Sequence, residues 1–397
     1  MRVLQVVEAT TAGVRRHVQT LASTIDRRRY TLAVACPPVR AQAFGDSLFV
    51  ADLQRAAVPV HAVPMLRAIS PATDIHALRQ LVQLIHAEQI DLVHAHSSKA
   101  GVLGRVAARA AGVPSVYTPH SLHFLGIQNP AKRVFFLLLE QLAARLGDRI
   151  IAVSPGEHAL MLAHHIARPE QISCIENGIV APQLPASYDR VAMRAALGQS
   201  SDAALIGTVA RCAAQKNPRL FVEAAAALLR DLPTARFVWC GGGELQAQAE
   251  QWAAARGIGH AVRFLGHRED VAALMGALDL FWLTSNYEGL PTAPIEAMLL
   301  GVPVIATDVV GTRDLLKSGA GLLVPPGDAQ ALARTSFMLV QRRDRREALA
   351  RAARRIAAER WDAARMACET AALYDQVTTA HADRPRWRSA HYQMSIR

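Results

Sequence analysis

The stretch Tyr287-Glu288-Gly289-Leu290-Pro291-Thr292-Ala293-Pro294-Ile295-Glu296-Ala297-Met298 decides how this chain is read. The run before it, Leu278-Asp279-Leu280-Phe281-Trp282-Leu283, is apolar and of strand length. Gly289 and Pro291 mark a turn, and a helix is expected to begin near Pro294. Glu288 and Glu296 bracket that turn with seven residues between them. A helix beginning there presents unpaired amide N–H groups and a positive dipole end, which suits a phosphate. Two carboxylates beside such a site suit hydrogen bonds to the hydroxyls of a sugar nucleotide. Elsewhere in a chain, a pair of glutamates so spaced is ordinarily two solvated acids. Here the strand, the Gly-Pro turn and the helix start give the pair its meaning.

Outward from this stretch the pattern is alternating. Residues 3–7, 32–36, 58–63, 92–95, 116–118, 149–153 and 172–175 read as strands, and segments such as 74–87, 100–111 and 131–146 have helical length and spacing. Residues 177–185, with Gly178, Pro182 and Pro185, read as a linker. Alternation restarts with strands at 205–209, 236–240, 261–265, 278–283, 304–307 and 321–324. The fold class is therefore α/β, in two doubly wound halves with parallel sheets. From Asp328 to about Asp375 the chain is Ala- and Arg-rich and helical. The tail from Ala380, with Arg384-Pro385-Arg386-Trp387-Arg388, has no clear period. It reads first as a frayed basic terminus and second as a membrane or partner contact.

Composition agrees. At 397 residues two domains are expected, and 51% apolar with 19% charged residues describes a globular chain. No run of apolar residues is long enough to span a bilayer, and Met1-Arg2-Val3-Leu4-Gln5-Val6-Val7-Glu8 reads as a first strand rather than a secretion signal. The five cysteines lie apart with no C-x-x-C pair, and most sit in apolar stretches, which points to buried thiols for these and to a cytoplasmic location. A net charge of +11 allows nucleic acid, an anionic membrane or phosphorylated small molecules as partners. Nucleic acid is set aside because no recognition motif accompanies the charge.

Further candidates lie past strand ends, where open α/β sheets bind ligands. Arg211 and Lys216 follow strand 205–209, and two cations there suit a leaving diphosphate. Gly241-Gly242-Gly243 follows the next strand and lets backbone approach a ligand, without forming a dinucleotide fingerprint. His120 follows strand 116–118, so it is expected to face the cleft between halves. His94-Ala95-His96 alternates on one strand face, but no acidic cluster accompanies it; a cleft wall is expected and no metal site. Gly13, in the first βα turn, is placed to offer amides to an oxyanion. The segment Lys132-Arg133-Val134-Phe135-Phe136-Leu137-Leu138-Leu139 is basic and then strongly apolar. It fits a buried helix or a peripheral membrane contact.

These motifs, in this order over roughly residues 1–375, resemble the retaining GT-B glycosyltransferases, most closely glycosyltransferase family 4. Glu288 and Glu296 resemble the family's Glu-x7-Glu, and Arg211…Lys216 its Gly-Arg…Lys-Gly loop, with Ala210 and Asn217 where glycine is common. Thr118-Pro119-His120-Ser121 resembles its Thr-Pro-His-Gly, and Ala12-Gly13 its Gly-Gly turn. The resemblance implies two Rossmann-like domains facing across a cleft: an acceptor domain at 1–182, a nucleotide-sugar domain at 183–360, and a helix crossing back with the basic tail at 361–397. It implies that His120, Glu288, Arg211 and Lys216 act in catalysis. Gly13, Gly241, Gly242, Gly243, Leu290, Pro291, Thr292, Ala293 and Glu296 would bind the donor. No cofactor is implied, and the lack of any Asp-x-Asp triplet points away from metal-dependent transferases. The implied partners are a nucleotide sugar, UDP ahead of GDP, and a polyprenyl-diphosphate-linked acceptor of capsule or exopolysaccharide synthesis, at the cytoplasmic face of the inner membrane. A sugar-nucleotide epimerase and a non-catalytic binding subunit are the alternatives.

Overall fold

The computed structural model describes residues 1–38, 44–199 and 203–383. The basic stretch 384–388 lies outside the described residues. The chain builds two parallel sheets with helices on both faces. The first has seven strands: β1 (Arg2–Val7), β2 (Thr31–Cys36), β3 (Val60–Ala62), β4 (Leu92–His96), β5 (Ser115–Thr118), β6 (Arg149–Ala152) and β7 (Ile172–Cys174). The second has six: β8 (Leu205–Val209), β9 (Arg236–Cys240), β10 (Val262–Phe264), β11 (Leu280–Leu283), β12 (Val304–Thr307) and β13 (Leu322–Val324). Strands such as β4, β5, β11 and β12 are buried along their whole length, as expected where helices cover both faces.

Strand order positions the sites. In the first sheet it is β3-β2-β1-β4-β5-β6-β7, so winding direction reverses between β1 and β4. In the second it is β10-β9-β8-β11-β12-β13, reversing between β8 and β11. Such switch points open a crevice at the carboxyl ends of the strands. The loops after β1 and β4 and those after β8 and β11 are therefore the places to seek ligands.

The two sheets are joined twice. The chain leaves the first sheet after β7 and passes Asn177-Gly178-Ile179. It returns beside that segment at Trp361-Asp362, where the Ile179 amide donates to the Trp361 carbonyl at 2.8 Å and Ile179 pairs with Asp362 in a parallel bridge. The contact is tight: a Cβ on Gly178 would lie 2.4 Å from the Asp362 carbonyl oxygen. The last helix, Ala363–Ala382, then packs on the first sheet through Met366, Leu373, Tyr374 and Val377. Its Tyr374 hydroxyl accepts from Gln5 Nε2 at 3.2 Å and lies 2.7 Å from His94 Nδ1. Burial pushes the Tyr374 hydroxyl pKa up, so it stays a neutral partner in that network. Among the described residues no helix is long and apolar enough to cross a membrane.

Candidate active site

Residues 287–298 form the rim of the second sheet's crevice. After β11, Thr284 and Ser285 lead into the turn, and the helix runs Thr292–Leu299 with Pro291 before it. It begins two residues before the expected Pro294, because proline fits the first turn of a helix, where its missing N–H is not needed. No side chain caps this helix start, so its first amides are not engaged by a side-chain cap.

Glu288 is buried and accepts from Ser285 Oγ at 2.5 Å and from Lys216 Nζ. Lys216 is only 17% exposed, so the pair is partly shielded from water rather than a surface contact. The Lys216 loop is sewn to the same rim. Thr284 Oγ1 donates to the Lys216 carbonyl at 2.7 Å, Gln215 Nε2 to the Tyr287 carbonyl at 3.1 Å, and the Asn286 amide to the Gln215 carbonyl at 2.8 Å. Asn217 stands where glycine was common in the resemblance. It adopts φ 50°, a left-handed conformation that asparagine tolerates, and its side chain caps the next helix at Leu220 N. Arg211 lies in the same loop, partly exposed, with no ion pair among the described residues.

The three glycines after β9 serve this loop. Gly241 has φ 123°, and a Cβ on it would lie 2.2 Å from the Ala210 carbonyl; on Gly243 it would lie 2.3 Å from the Cys212 carbonyl. The close backbone approach is therefore to the Arg211 segment. Gly242, whose carbonyl accepts from Cys212 N at 2.9 Å, has room for a side chain. Gly13 sits in the first turn of the helix Ala12–Thr24, exposed, with nothing within 4 Å of an added Cβ.

The first sheet faces this rim at close range. A Cβ on Gly289 would meet the His120 carbonyl at 2.6 Å, and Leu290 lies buried beside it. His120 itself has φ 61°, unusual for a side-chain-bearing residue, and its Nε2 lies 3.0 Å from His96 Nδ1. Glu296 is buried, and Arg16 of the first helix reaches across to it, with Nε at 2.7 Å. Burial raises the Glu296 pKa, and the Arg16 guanidinium works against that rise. Pro291 is buried; Thr292 and Ala293, partly exposed, complete the rim.

Behind His120 stands a polar chain. His96 Nε2 lies 2.6 Å from Gln5 Oε1, and His94 contacts Tyr374 through Nδ1 at 2.7 Å and Thr118 Oγ1 through Nε2 at 2.8 Å. His17 joins from the first helix. Its ring meets the His120 ring edge-on at 4.6 Å, and its Nδ1 lies 3.0 Å from Asn177 Oδ1. Burial lowers the pKa of all four histidines, that of His17 to about 4. All four are therefore neutral near pH 7. Arg16, His17, Asn177 and Ser285 were not among the residues singled out in the sequence. Arg16 and Asn177 act across the domain boundary, and His17 meets partners distant in sequence, so no local spacing signals them; Ser285 sits three residues before Glu288 and was readable as a hydroxyl beside an acid.

Residues 189–356 match the family described as "Glycosyl transferases group 1", and residues 12–178 match "Glycosyl transferase 4-like domain". An Escherichia coli UDP-Gal:alpha-D-GlcNAc-diphosphoundecaprenol alpha-1,3-galactosyltransferase is 32% identical over 64% of this chain and 68% of its own. The chain belongs to this glycosyltransferase family. The putative glycosyltransferase EpsD of Bacillus subtilis is 28% identical over 69% of this chain and 73% of its own. Among solved structures, Anabaena HepE with UDP and glucose superposes with a TM-score of 0.80 at 24% identity, covering 94% of this chain and 99% of that one. That likeness establishes the shared two-domain architecture of this glycosyltransferase.

Proposed function

We propose that this glycosyltransferase moves a sugar, with retention of anomeric configuration and without a metal, from a UDP-sugar to a lipid-diphosphate-linked saccharide. The reading divides the chain into an acceptor domain at 1–182, a donor domain at 183–360 and a returning segment from 361. The observation that carries it is the placement of Glu288 and Glu296 at the two ends of one uncapped helix start, beside Lys216 and opposite His120. The amides around Thr292 and Ala293 face phosphate, Glu296 exchanges its Arg16 contact for the ribose hydroxyls, from which it accepts, and Glu288 orients the sugar. Arg211 and Lys216 supply positive charge where the diphosphate gains it negatively. His120, held neutral, supports the sugar from the first domain. As the anomeric C–O bond to the diphosphate breaks, the acceptor oxygen bonds the same face, and its proton passes to the departing phosphate oxygen. No protein base is then required. The UDP preference and the lipid-linked acceptor rest on the names of the Escherichia coli and Anabaena proteins above.

Titrating UDP and UDP-sugars against wild type, Glu296→Ala and Glu288→Gln tests the reading. Glu296→Ala is expected to weaken UDP binding at least about tenfold, in line with losing hydrogen bonds to a charged group. Glu288→Gln is expected to leave UDP affinity near wild type and to slow transfer. Equal UDP affinity in wild type and Glu296→Ala would place the nucleotide elsewhere. Conversion of the UDP-sugar to its epimer with no acceptor present would favour an epimerase.

A further inference from the structure

We propose that His17, His96 and His120 form a binding site for a divalent transition-metal ion of the zinc class, and that an ion held there withdraws His120 from the donor sugar. The second clause rests on the sugar-transfer reading; the first does not. One ring nitrogen of each of these residues lies within 4.8 Å of the other two. His17 and His96 are buried, and His120 is partly exposed.

The hydrogen bonds around the set dictate where its lone pairs lie. Asn177 Nδ2 donates to the Leu290 carbonyl at 3.0 Å, and a carbonyl only accepts. The Asn177 amide is thereby oriented with Oδ1 toward His17, so His17 Nδ1 carries the hydrogen and Nε2 a lone pair. That Nε2 is buried and has no hydrogen-bond partner. A buried polar atom left so is uncommon and asks for a ligand. Gln5 acts likewise. Its Nε2 donates to the Tyr374 hydroxyl, its Oε1 accepts from His96 Nε2, and His96 Nδ1 is left as an acceptor toward His120. Metal-binding imidazoles characteristically donate their second N–H to such a carbonyl oxygen, which fixes the ring and its tautomer. Here two of three rings are already held that way, by Asn177 and Gln5.

The remaining requirement is small. His120 needs only to carry its hydrogen on Nδ1 instead of Nε2, with no net loss of a proton. Nitrogens of a tetrahedral zinc site lie about 3.3–3.4 Å apart, given zinc–nitrogen bonds near 2.0–2.1 Å. The His96–His120 pair stands at 3.0 Å and the widest separation is within 4.8 Å, so the set closes by shifts of roughly 1.5 Å or less. Three neutral imidazoles suit zinc, copper or nickel and not magnesium or calcium. The fourth position falls to water or a hydroxyl from the side that His120 leaves open. His94 is not a ligand, because both its nitrogens are engaged by Tyr374 and Thr118.

The test is a cobalt(II) titration of the full-length protein after dialysis against a chelator. The expected result is a saturable visible band of a four-coordinate nitrogen and oxygen site, displaced by zinc. No thiolate charge-transfer band should accompany it, which separates the site from the five cysteines. His17→Ala and His17→Gln are expected to lower the apparent affinity at least about tenfold while unfolding cooperatively. Turnover of the metal-free enzyme should fall as zinc fills the site and return with chelator. Absence of a saturable band, or an unchanged band in both variants, overturns the site. Zinc binding with unchanged turnover overturns the withdrawal of His120. A cobalt band as described, in an enzyme that turns over no UDP-sugar with any acceptor, leaves the metal site standing and counts against the sugar-transfer reading.

Discussion

At the scale of single residues, the second-domain site is a set of charges that neutralise one another. Lys216 is held by Glu288, and Glu296 by Arg16. In the proposed reaction Lys216 changes partner to the leaving diphosphate. Lys216→Ala is then expected to lower kcat/KM by roughly 10²–10³, the 2.7–4 kcal/mol typical of losing one oxyanion donor. Steady-state kinetics that match wild type would remove Lys216 from the reaction. Glu288, Lys216 and His120 were legible as candidates because each follows a strand and brings a charge or ring to a loop; Glu296, inside the helix Thr292–Leu299, was legible only through its spacing from Glu288. The glycines after β9 were legible as a place of close approach, while the approaching group, the Ala210 and Cys212 carbonyls, was not. Arg16 was invisible as a partner of Glu296, since 280 positions separate them and only the docked domains bring them together.

At the scale of elements, the helix Pro130–Ala144 shows both faces of its sequence. Inward, Glu140 receives Arg105 at 3.2 Å and the Tyr117 hydroxyl at 3.0 Å, in a buried cluster. Outward, Val134, Leu138 and Leu142 form an i, i+4, i+8 stripe with Phe135 beside it, each at least half exposed. Lys132, Arg133 and Arg145 are exposed around it. Apolar groups flanked by cations are a pattern suited to an anionic lipid surface, where the proposed lipid-linked acceptor would lie. Leu138→Glu combined with Leu142→Glu is expected to abolish cosedimentation with vesicles containing phosphatidylglycerol. Exposed substitutions of this kind should move folding stability by no more than about 0.5 kcal/mol each. Equal cosedimentation of variant and wild type would remove this stripe as a lipid contact. Sequence periodicity placed this helix correctly but allowed either a buried or a membrane-facing stripe. Which side the sheet covers depends on neighbours such as Arg105 and Tyr117, which the local pattern does not contain.

At the scale of the molecule, four neutral histidines, His17, His94 and His96 buried and His120 partly so, tie the first sheet, the first helix and the last helix together. Their pKa values are lowered on folding, so the unfolded chain binds more protons below about pH 6.5, its ordinary histidine value. Stability that is full above that pH is then lost as pH falls toward the folded values, which for His17 is about 4. Each histidine contributes a slope of up to about 1.4 kcal/mol per pH unit in that window. Glu157 acts in the opposite sense. Burial raises its pKa to about 7, so its share declines as pH rises from 4.5 to there. Urea unfolding at pH 7.5, 6 and 5 is expected to show a net fall on acidification, because the four histidines outweigh Glu157 and Glu296, whose pKa values burial raises. A flat profile would mean that the histidines protonate without unfolding. Two doubly wound halves were evident from the alternation of strands and helices, since each half repeats one strong period. Their facing arrangement depends on contacts such as His120 on Gly289, which only the assembled chain makes.

The parallel bridge between Ile179 and Asp362 has a consequence for how such enzymes can be recombined. The polypeptide enters and leaves the second sheet at adjacent points, so that half is an insertion, with both its junctions side by side. A cut after residue 182 would strip the first sheet of the helix that carries Tyr374. Exchanging the whole insert between related transferases, at Ile179 and Asp362 together, keeps that helix with its own sheet. On the proposed division into donor and acceptor halves, chimeras joined at this paired seam should then inherit sugar choice from one parent and acceptor choice from the other.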